Sequence, residues 1–318
     1  MSIVMACTGG DAESPENTVA RSEMSVSRQV TPTPTPQLTP APVPLVTPTP
    51  TEAPLPAVLV GAGDIASCGG SGDERTAVLL DEIAGTIFTA GDNVYPNGTA
   101  GEFAQCYDPS WGRHRERTRP SPGNHDYHTE GAAGYFEYFG AAAGDRDKGY
   151  YSYDLGAWHI IALNSNCGLV ACGAGSPQEA WLRADLAANP ARCTLAYWHH
   201  PRFSSGSHGD DERVAPFWAA LYEFGADVIV SGHDHDYQRF APQNPDAVAD
   251  AARGIRQFIV GTGGASLRGL AEVHPNNEVR SGEAFGVIKL TLYHDRYDWE
   301  FVAVDGAFTD SARGQPCH

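Results

Sequence analysis

Five short phrases, GDIAS, GDNVY, GNHD, WHHP and GHDH, set Asp64, Asp92, Tyr95, Asn124, His199, His233 and His235 in order along the chain. Two carboxylates, an amide oxygen, a phenol and three imidazoles make a complete donor set for two adjacent metal ions. Hard oxygens mixed with imidazole suit borderline first-row metals such as iron, zinc or manganese, and do not suit a thiolate-seeking ion. Each phrase follows a run of β-branched and apolar residues, so each falls where a strand gives way to a loop. In open α/β folds ligands bind at that end of the strands. WHHP leaves a choice open: as neighbours on one strand, His199 and His200 would face opposite ways, and physics alone does not choose between them.

The segments between the phrases alternate strand-like and helix-like patterns, which predicts an α/β domain. AVLVGAGD and TIFTAGD read as short buried strands, with DERTAVLLDEIA (73–84) as a helix between them. GAAGYFEYFG (131–140) reads as a short aromatic helix packed in the core. Residues 150–165 read as two strands around a Leu155-Gly156 turn. Ser176 is placed to cap a helix with Pro177 in its first turn and Glu179 reaching back to complete a capping box. TLAYWHH then forms a strand ending at the histidines, VAPFWAALYEFG a helix stopped by Gly225, and DVIVSGHDH another strand. From Ile255 to about Gly306 the pattern is mostly strand, with FGVIKLTLYHDRYDWEFVAVDG as a hairpin. No internal repeat and no Pro/Gly-rich seam interrupts residues 57–318, so one domain is expected there. The basic stretch RHRER, with His114, reads as a solvated helix face; His159 reads as a satisfied strand residue, and Arg239 as a support beneath GHDH.

The ordered series GD, GDNxY, GNHD, a strand-terminal His before Pro, and GHxH resembles the calcineurin-like metallophosphoesterase superfamily. A tyrosine three residues after the second aspartate, and the closing phrase GHDHDYQR, are similar more narrowly to purple acid phosphatases. One phrase alone would be weak; five in this order, spanning 64 to 239, are specific. The resemblance implies a two-sheet αββα sandwich with a bimetal site at the C-terminal ends of the strands. It implies Asp64, Tyr95 and His235 as ligands of one metal, Asn124, His199 and His233 of a second, and Asp92 bridging both. A ligand followed by one variable residue and then Pro favours His199 over His200. The Tyr95 phenolate argues for Fe(III) in the first site, with Fe(II), Zn or Mn in the second. The implied reaction is hydrolysis of small-molecule phosphate monoesters by a hydroxide that two metals generate, with a phosphodiesterase or nucleotidase on the same platform as the alternative. His125 and His208 are the implied donors of a proton to the leaving group, with Asp126 orienting His125. Two positions depart from the pattern: Ala66 replaces the glycine of GDxG, and Gln238 stands where glutamate is frequent.

The whole chain narrows the setting. Its 318 residues are 42% hydrophobic, and its net charge of −18 with a pI near 4.9 argues against a nucleic-acid partner. No run approaches the eighteen or so apolar residues that span a bilayer. MSIVMAC ends in a small residue before Cys7 and resembles a bacterial lipoprotein processing site, shortened on its N-terminal side. Residues 1–30 therefore read as a disordered region with a truncated lipoprotein signal and a lipid anchor through Cys7. Residues 31–56 read as a Pro/Thr-rich linker in polyproline II form, reaching about 80 Å. Cys68, Cys106, Cys167, Cys172, Cys193 and Cys317 allow fifteen pairings, of which Cys167 with Cys172, flanking a short Gly-rich loop, suits a local bridge. Structural disulfides imply an extracytoplasmic protein, secreted or at the surface of a bacterium. Nothing in the sequence speaks to oligomeric state.

Overall fold

The computed structural model describes residues 24–33, 55–306 and 308–318. Cys7 and most of the Pro/Thr-rich tract lie outside the described residues. Residues 24–33 are exposed and without regular structure, and belong to a separate unit from Glu52–His318.

Two β-sheets organise the larger unit. One has six strands in the spatial order Ser311–Pro316, Arg296–Ala303, Gly286–Leu292, Ala57–Ala62, Thr86–Ala90 and Thr118–Ser121. Its last three strands are parallel to one another, and Ala57–Ala62 pairs antiparallel with Gly286–Leu292 on its other side. The second sheet has seven strands, in the order Asn277–Ser281, Tyr237–Phe240, Arg256–Val260, Val228–Ser231, Cys193–Tyr197, Trp158–Ala162 and Tyr151–Leu155. Four of these, from Arg256–Val260 to Trp158–Ala162, run parallel. Parallel strands are covered on both faces, which is why most of them appear in the sequence as apolar runs; Thr118–Ser121, with the sequence TRPS, does not.

The pleat sorts the central strands of the second sheet between two cores. Ile160, Leu195, Tyr197, Val230 and Phe258 pack with residues of the first sheet, including Leu59, Phe88 and Ile288. The intervening Ile161, Ala196, Ile229 and Ile259 pack with Leu182 and Leu186 of the helix Pro177–Ala188 and with Phe217 and Leu221 of the helix Ala215–Glu223. The helix Gly72–Glu82 buries Ala77 and Leu80 in the first core. Fully burying a Leu, Ile or Phe contributes about 2 kcal/mol, so the two cores rather than any single contact hold this helix–sheet–sheet–helix arrangement, the αββα sandwich that the phrases imply.

Two local expectations need correction. Ser176 caps the helix Pro177–Ala188 by accepting from the Glu179 N–H at 3.3 Å, but Glu179 does not complete a capping box. Its carboxylate accepts from Gly175 N–H at 3.0 Å and pairs with Arg183. The RHRER stretch is solvated only in part: Arg113, Arg115 and Glu116 are exposed, whereas His114 and Arg117 are half-buried. Arg117 donates to the carbonyls of Leu80, Ile83 and Gly85 at 2.6–2.9 Å, satisfying the last turn of the helix Gly72–Glu82. His114 lies 2.9 Å from Asp81 on the same helix.

Cysteines pair as Cys68–Cys106, Cys167–Cys172 and Cys193–Cys317. The middle bridge is the local one; the others join segments that only the tertiary fold brings together. Cys193–Cys317 spans 124 positions and on loop-entropy grounds contributes about 5 kcal/mol. No described helix is long and apolar enough to cross a membrane.

His159 is buried between two carboxylates, with Nδ1 3.0 Å from Asp154 and Nε2 2.8 Å from Asp185. Burial lowers its pKa, and the bonds to Asp185 and Asp154 more than offset that, so the net shift is upward. A raised folded-state pKa gives stabilisation that is full below the unfolded value, near 6.5, and is lost as pH rises through the folded value. His159→Gln is therefore expected to lower Tm clearly at about pH 5.5 and much less at about pH 8.5. Equal losses at both pH values would remove the ionic contribution.

Candidate metal centre

The seven candidate donors converge where strand ends of the two sheets meet. The first sheet leads into Asp64, Asp92 and Asn124 after the strands Ala57–Ala62, Thr86–Ala90 and Thr118–Ser121. The second leads into His199 after Cys193–Tyr197, and into His233 and His235 after Val228–Ser231. Tyr95 sits in a two-residue pairing of Val94–Tyr95 with Ala66–Ser67. Ala66, the departure from GDxG, is buried in that pairing.

The turns that aim these side chains are strained. Asp64, Asp92 and His233 have φ of +61°, +48° and +70°, a conformation that costs a non-glycine residue about 1 kcal/mol or more. Two glycines make room for the donors. A Cβ on Gly123 would lie 2.1 Å from Oδ1 of Asp92, and a Cβ on Gly232 would lie 2.7 Å from Oδ2 of Asp64. That close approach is the physical reason for glycine in GNHD and GHDH.

Asp92 Oδ2 is the hub of the donor set. It lies 2.9 Å from the Tyr95 hydroxyl and 3.2 Å from His199 Nε2. On one side, the Tyr95 hydroxyl is 2.7 Å from Asp64 Oδ1 and 3.1 Å from His235 Nε2. On the other, His199 Nε2 is 3.1 Å from Asn124 Oδ1 and 3.2 Å from His233 Nδ1. Donors held at about 2.1 Å around an octahedral cation stand about 3 Å apart. The observed spacings match the edges of two such shells sharing one carboxylate oxygen. Charge points the same way. Asp64 and Asp92 are fully buried, and among the described residues their ion-pair partners are histidines only, with no lysine or arginine. With imidazoles as their only counter-charges, two buried carboxylates leave a place that cations between them would fill, freeing the histidines to act as ligands.

The titration behaviour follows from this crowding. Burial opposes ionisation of Asp92, but His199 and His125 hold its carboxyl far below the usual range. Burial likewise opposes ionisation of Asp64, and His235 and His199 outweigh it. His199 is pushed up to about 9, its burial overcome by the Asp92 and Asp64 charges. His233 is pushed down to about 3 by burial and by repulsion from His199 and His208. Burial and the charges of Asp64 and Asp92 drive the Tyr95 phenol well above its ordinary value, a bias that a bound cation reverses. His199 Nδ1 is 2.8 Å from the Ala90 carbonyl, which turns Nε2 toward the centre, and His235 Nδ1 is 2.7 Å from the Ser266 hydroxyl. Such outer partners fix the orientation of metal-binding imidazoles.

His199 and His200 do not face opposite ways. The strand ends at Tyr197, alternation ends with it, and the two rings meet with centroids 4.9 Å apart. His200 is taken up by the Ser165 hydroxyl, 2.8 Å from Nδ1, and burial pushes its pKa well below the ordinary value. His125 donates its backbone N–H to Asp92 Oδ1 at 2.8 Å; its Nδ1 is 2.7 Å from the Pro96 carbonyl and its Nε2 4.0 Å from Asp92 Oδ2. His208 packs against His233 with ring centroids 4.1 Å apart, and its Nδ1 is 3.0 Å from Asp234. Asp126, expected to orient His125, instead accepts from Gly123 N–H at 2.8 Å and Asn93 Nδ2 at 2.9 Å. Burial and the neighbouring Asp92 push it up to about 7. It ties the Asp92 and Asn124 loops together, while the Pro96 carbonyl does the orienting. Asn93, Asp234 and Ser266 were not legible as supports: Asn93 is the fixed asparagine of GDNxY and was passed over, Asp234 fills the variable position of GHxH, and Ser266 lies outside the phrases.

Residues 57–237 match the calcineurin-like phosphoesterase family. Purple acid phosphatase 15 of Arabidopsis thaliana is 28% identical over 198 residues, covering 51% of this chain and 37% of its own length. Purple acid phosphatase 21 of the same plant is 28% identical over 189 residues, covering 53% and 42% respectively. The chain thus spans less than half the length of these relatives. Two solved structures share the fold. Purple acid phosphatase PPD1 from yellow lupin seeds superposes with a TM-score of 0.65 at 19% identity, over 80% of this chain and 53% of that one. GAP50, the anchor in the inner membrane complex of Plasmodium, superposes with a TM-score of 0.61 at 14% identity, over 82% and 90%. A matched span of more than half the residues, running from the strand before Asp64 to just past His235, shows that the chain belongs to the calcineurin-like phosphoesterase family and is similar, within it, to purple acid phosphatases.

Proposed function

We propose that this chain is an extracytoplasmic phosphatase that hydrolyses small-molecule phosphate monoesters on a two-metal centre. Asp64, Tyr95 and His235 hold one cation in this reading, Asn124, His199 and His233 the other, and Asp92 bridges them. The observation that carries it is the place of Asp92 Oδ2 between the Tyr95 hydroxyl and His199 Nε2, within 3.2 Å of both. Cations so held would acidify water and offset the negative charge of phosphoryl oxygens. The phenol on one side suits Fe(III), and the amide-imidazole side suits Fe(II), Zn or Mn.

His125 and His208 are the proposed proton donors to the leaving group. In each, a partner takes Nδ1, Pro96 for His125 and Asp234 for His208, which leaves Nε2 as the working atom. Asp126 is a positioning residue for the loops of the centre. The three disulfides support an oxidising location. Residues 1–30 with a lipid anchor at Cys7, and 31–56 as a linker, complete the proposed layout before the catalytic domain 57–318.

The test is hydrolysis of a chromogenic aryl phosphate by the full chain, before and after metal stripping. Turnover is expected to vanish on stripping and return with added iron or zinc. A fully metallated protein that cleaves a diester but no monoester would overturn the reading. In the iron-loaded protein, Tyr95→Phe is expected to remove visible absorbance with far-UV circular dichroism unchanged; a coloured variant would take Tyr95 out of the ligand set.

A further inference from the structure

Arg268 is a charged residue at the centre to which the reading above gives no task. Its backbone N–H donates to the His235 carbonyl at 2.9 Å, two residues after the Ser266 hydroxyl that meets His235 Nδ1. Its side chain reaches the other half of the centre, where Nη1 lies 2.8 Å from Nε2 of His208, whose ring packs on His233. One arginine thus runs from a candidate donor of the first cation to the neighbour of a candidate donor of the second. Arg113, Arg183, Arg202, Arg213 and Arg239 each meet an aspartate or glutamate. Arg268 meets none among the described residues; its side-chain hydrogen-bond partner there is an imidazole nitrogen. With Nδ1 of His208 bonded to Asp234, Nε2 accepts from the guanidinium. The remaining N–H groups of the half-buried side chain are left for a ligand.

We propose that Arg268 selects phosphate monoesters over diesters by binding a terminal phosphoryl oxygen that only a monoester leaves charged. The proposal rests on the phosphatase reading above. A guanidinium matches phosphate oxygens in geometry as well as charge. A monoester spreads its charge over three terminal oxygens, whereas a diester has two. When two oxygens face the cations, the third of a monoester is an anionic acceptor for Arg268. In a diester the same position holds an uncharged, substituted ester oxygen, which accepts weakly and brings a second arm against the side chain. His208 Nε2 holds the guanidinium in the ligand-free centre; a phosphoryl oxygen displaces it because bonds to charged acceptors are stronger, and the freed Nε2 can then take up from solvent the proton it gives the leaving group.

The experiment compares metal-loaded wild type, Arg268→Ala and Arg268→Lys, all full length. Each is assayed on an aryl phosphate monoester and on the methyl diester of the same aryl alcohol, and each is titrated with inorganic phosphate by calorimetry. Arg268→Ala is expected to raise KM for the monoester and to weaken phosphate binding, each by roughly 10- to 100-fold. Its kcat/KM on the diester should hardly change, and Arg268→Lys should recover part of the phosphate affinity. Equal losses on the two esters, or unchanged phosphate affinity in Arg268→Ala, would overturn the proposal. If wild type turns over neither ester, the phosphatase reading fails by itself. The phosphate titration then bears on Arg268 alone: a weakened affinity in Arg268→Ala keeps the guanidinium–phosphate contact while ester selection falls with the phosphatase reading, and an unchanged one removes both.

Discussion

Asp92→Asn is expected to lose bound metal and turnover together while keeping its fold. The substitution keeps the shape of the side chain and an oxygen able to accept the His125 N–H, which Asp92 Oδ1 accepts at 2.8 Å. What disappears is the charge on the oxygen that stands between the two halves of the donor set. Two cations sharing a neutral amide would repel each other with nothing between them to offset it. Breaking a buried charge pair costs about 3–5 kcal/mol, which corresponds to roughly a thousand-fold in affinity. Elemental analysis and initial rates on an aryl phosphate read both effects, with far-UV circular dichroism as the control for folding. Two retained metals and a wild-type rate would take the bridging role away from Asp92.

Gly123→Ala is expected to damage the centre by adding a single carbon. The new Cβ would lie 2.1 Å from Asp92 Oδ1 and 2.2 Å from its backbone nitrogen. No rotamer relieves that contact, because part of it is with backbone. Gly123 also donates its N–H to Asp126, so a shift of this turn disturbs the loops of Asp92 and Asn124 at once. A displacement of about 1 Å in a reacting geometry costs on the order of 100-fold in rate. The comparison variant is Gly173→Ala, where nothing lies within 4 Å of the added carbon and wild-type turnover is expected. Equal activity of the two variants would show that the approach of Gly123 to Asp92 does not limit the site.

Much of this was legible because parallel strands buried on both faces leave continuous apolar runs, and four of the five donor phrases follow such a run, GNHD after TRPS being the exception. AVLVGAGD, TIFTAGD and DVIVSGHDH declare both the strand and the residue it delivers. Legibility stopped where a role depends on what approaches from elsewhere. His199 and His200 differ only in whether Ser165 or the Asp92 hub meets them, and the strand ends too soon for alternation to tell them apart. Asp126 sits next to His125 in sequence yet bonds to Asn93 and Gly123. Within RHRER, Arg117 serves a helix end rather than water, because it reaches carbonyls more than thirty residues away. Two of the three disulfides and the contact of Arg268 with His208 are equally non-local.

The strand Ala57–Ala62, which delivers Asp64, lies inside its sheet rather than at an edge, with Thr86–Ala90 on one side and Gly286–Leu292 on the other. Pairing with the second of these closes a loop of nearly the whole domain, and closures of that length are slow because their entropy is spent before any contact rewards it. During synthesis the first three donor-bearing turns emerge early, yet the sheet that carries them stays open on one side until the hairpin Gly286–Ala303 arrives. Every donor, His235 included, precedes residue 286 in the chain, so the strand that delivers Asp64 gains its second neighbour only after all seven have been made.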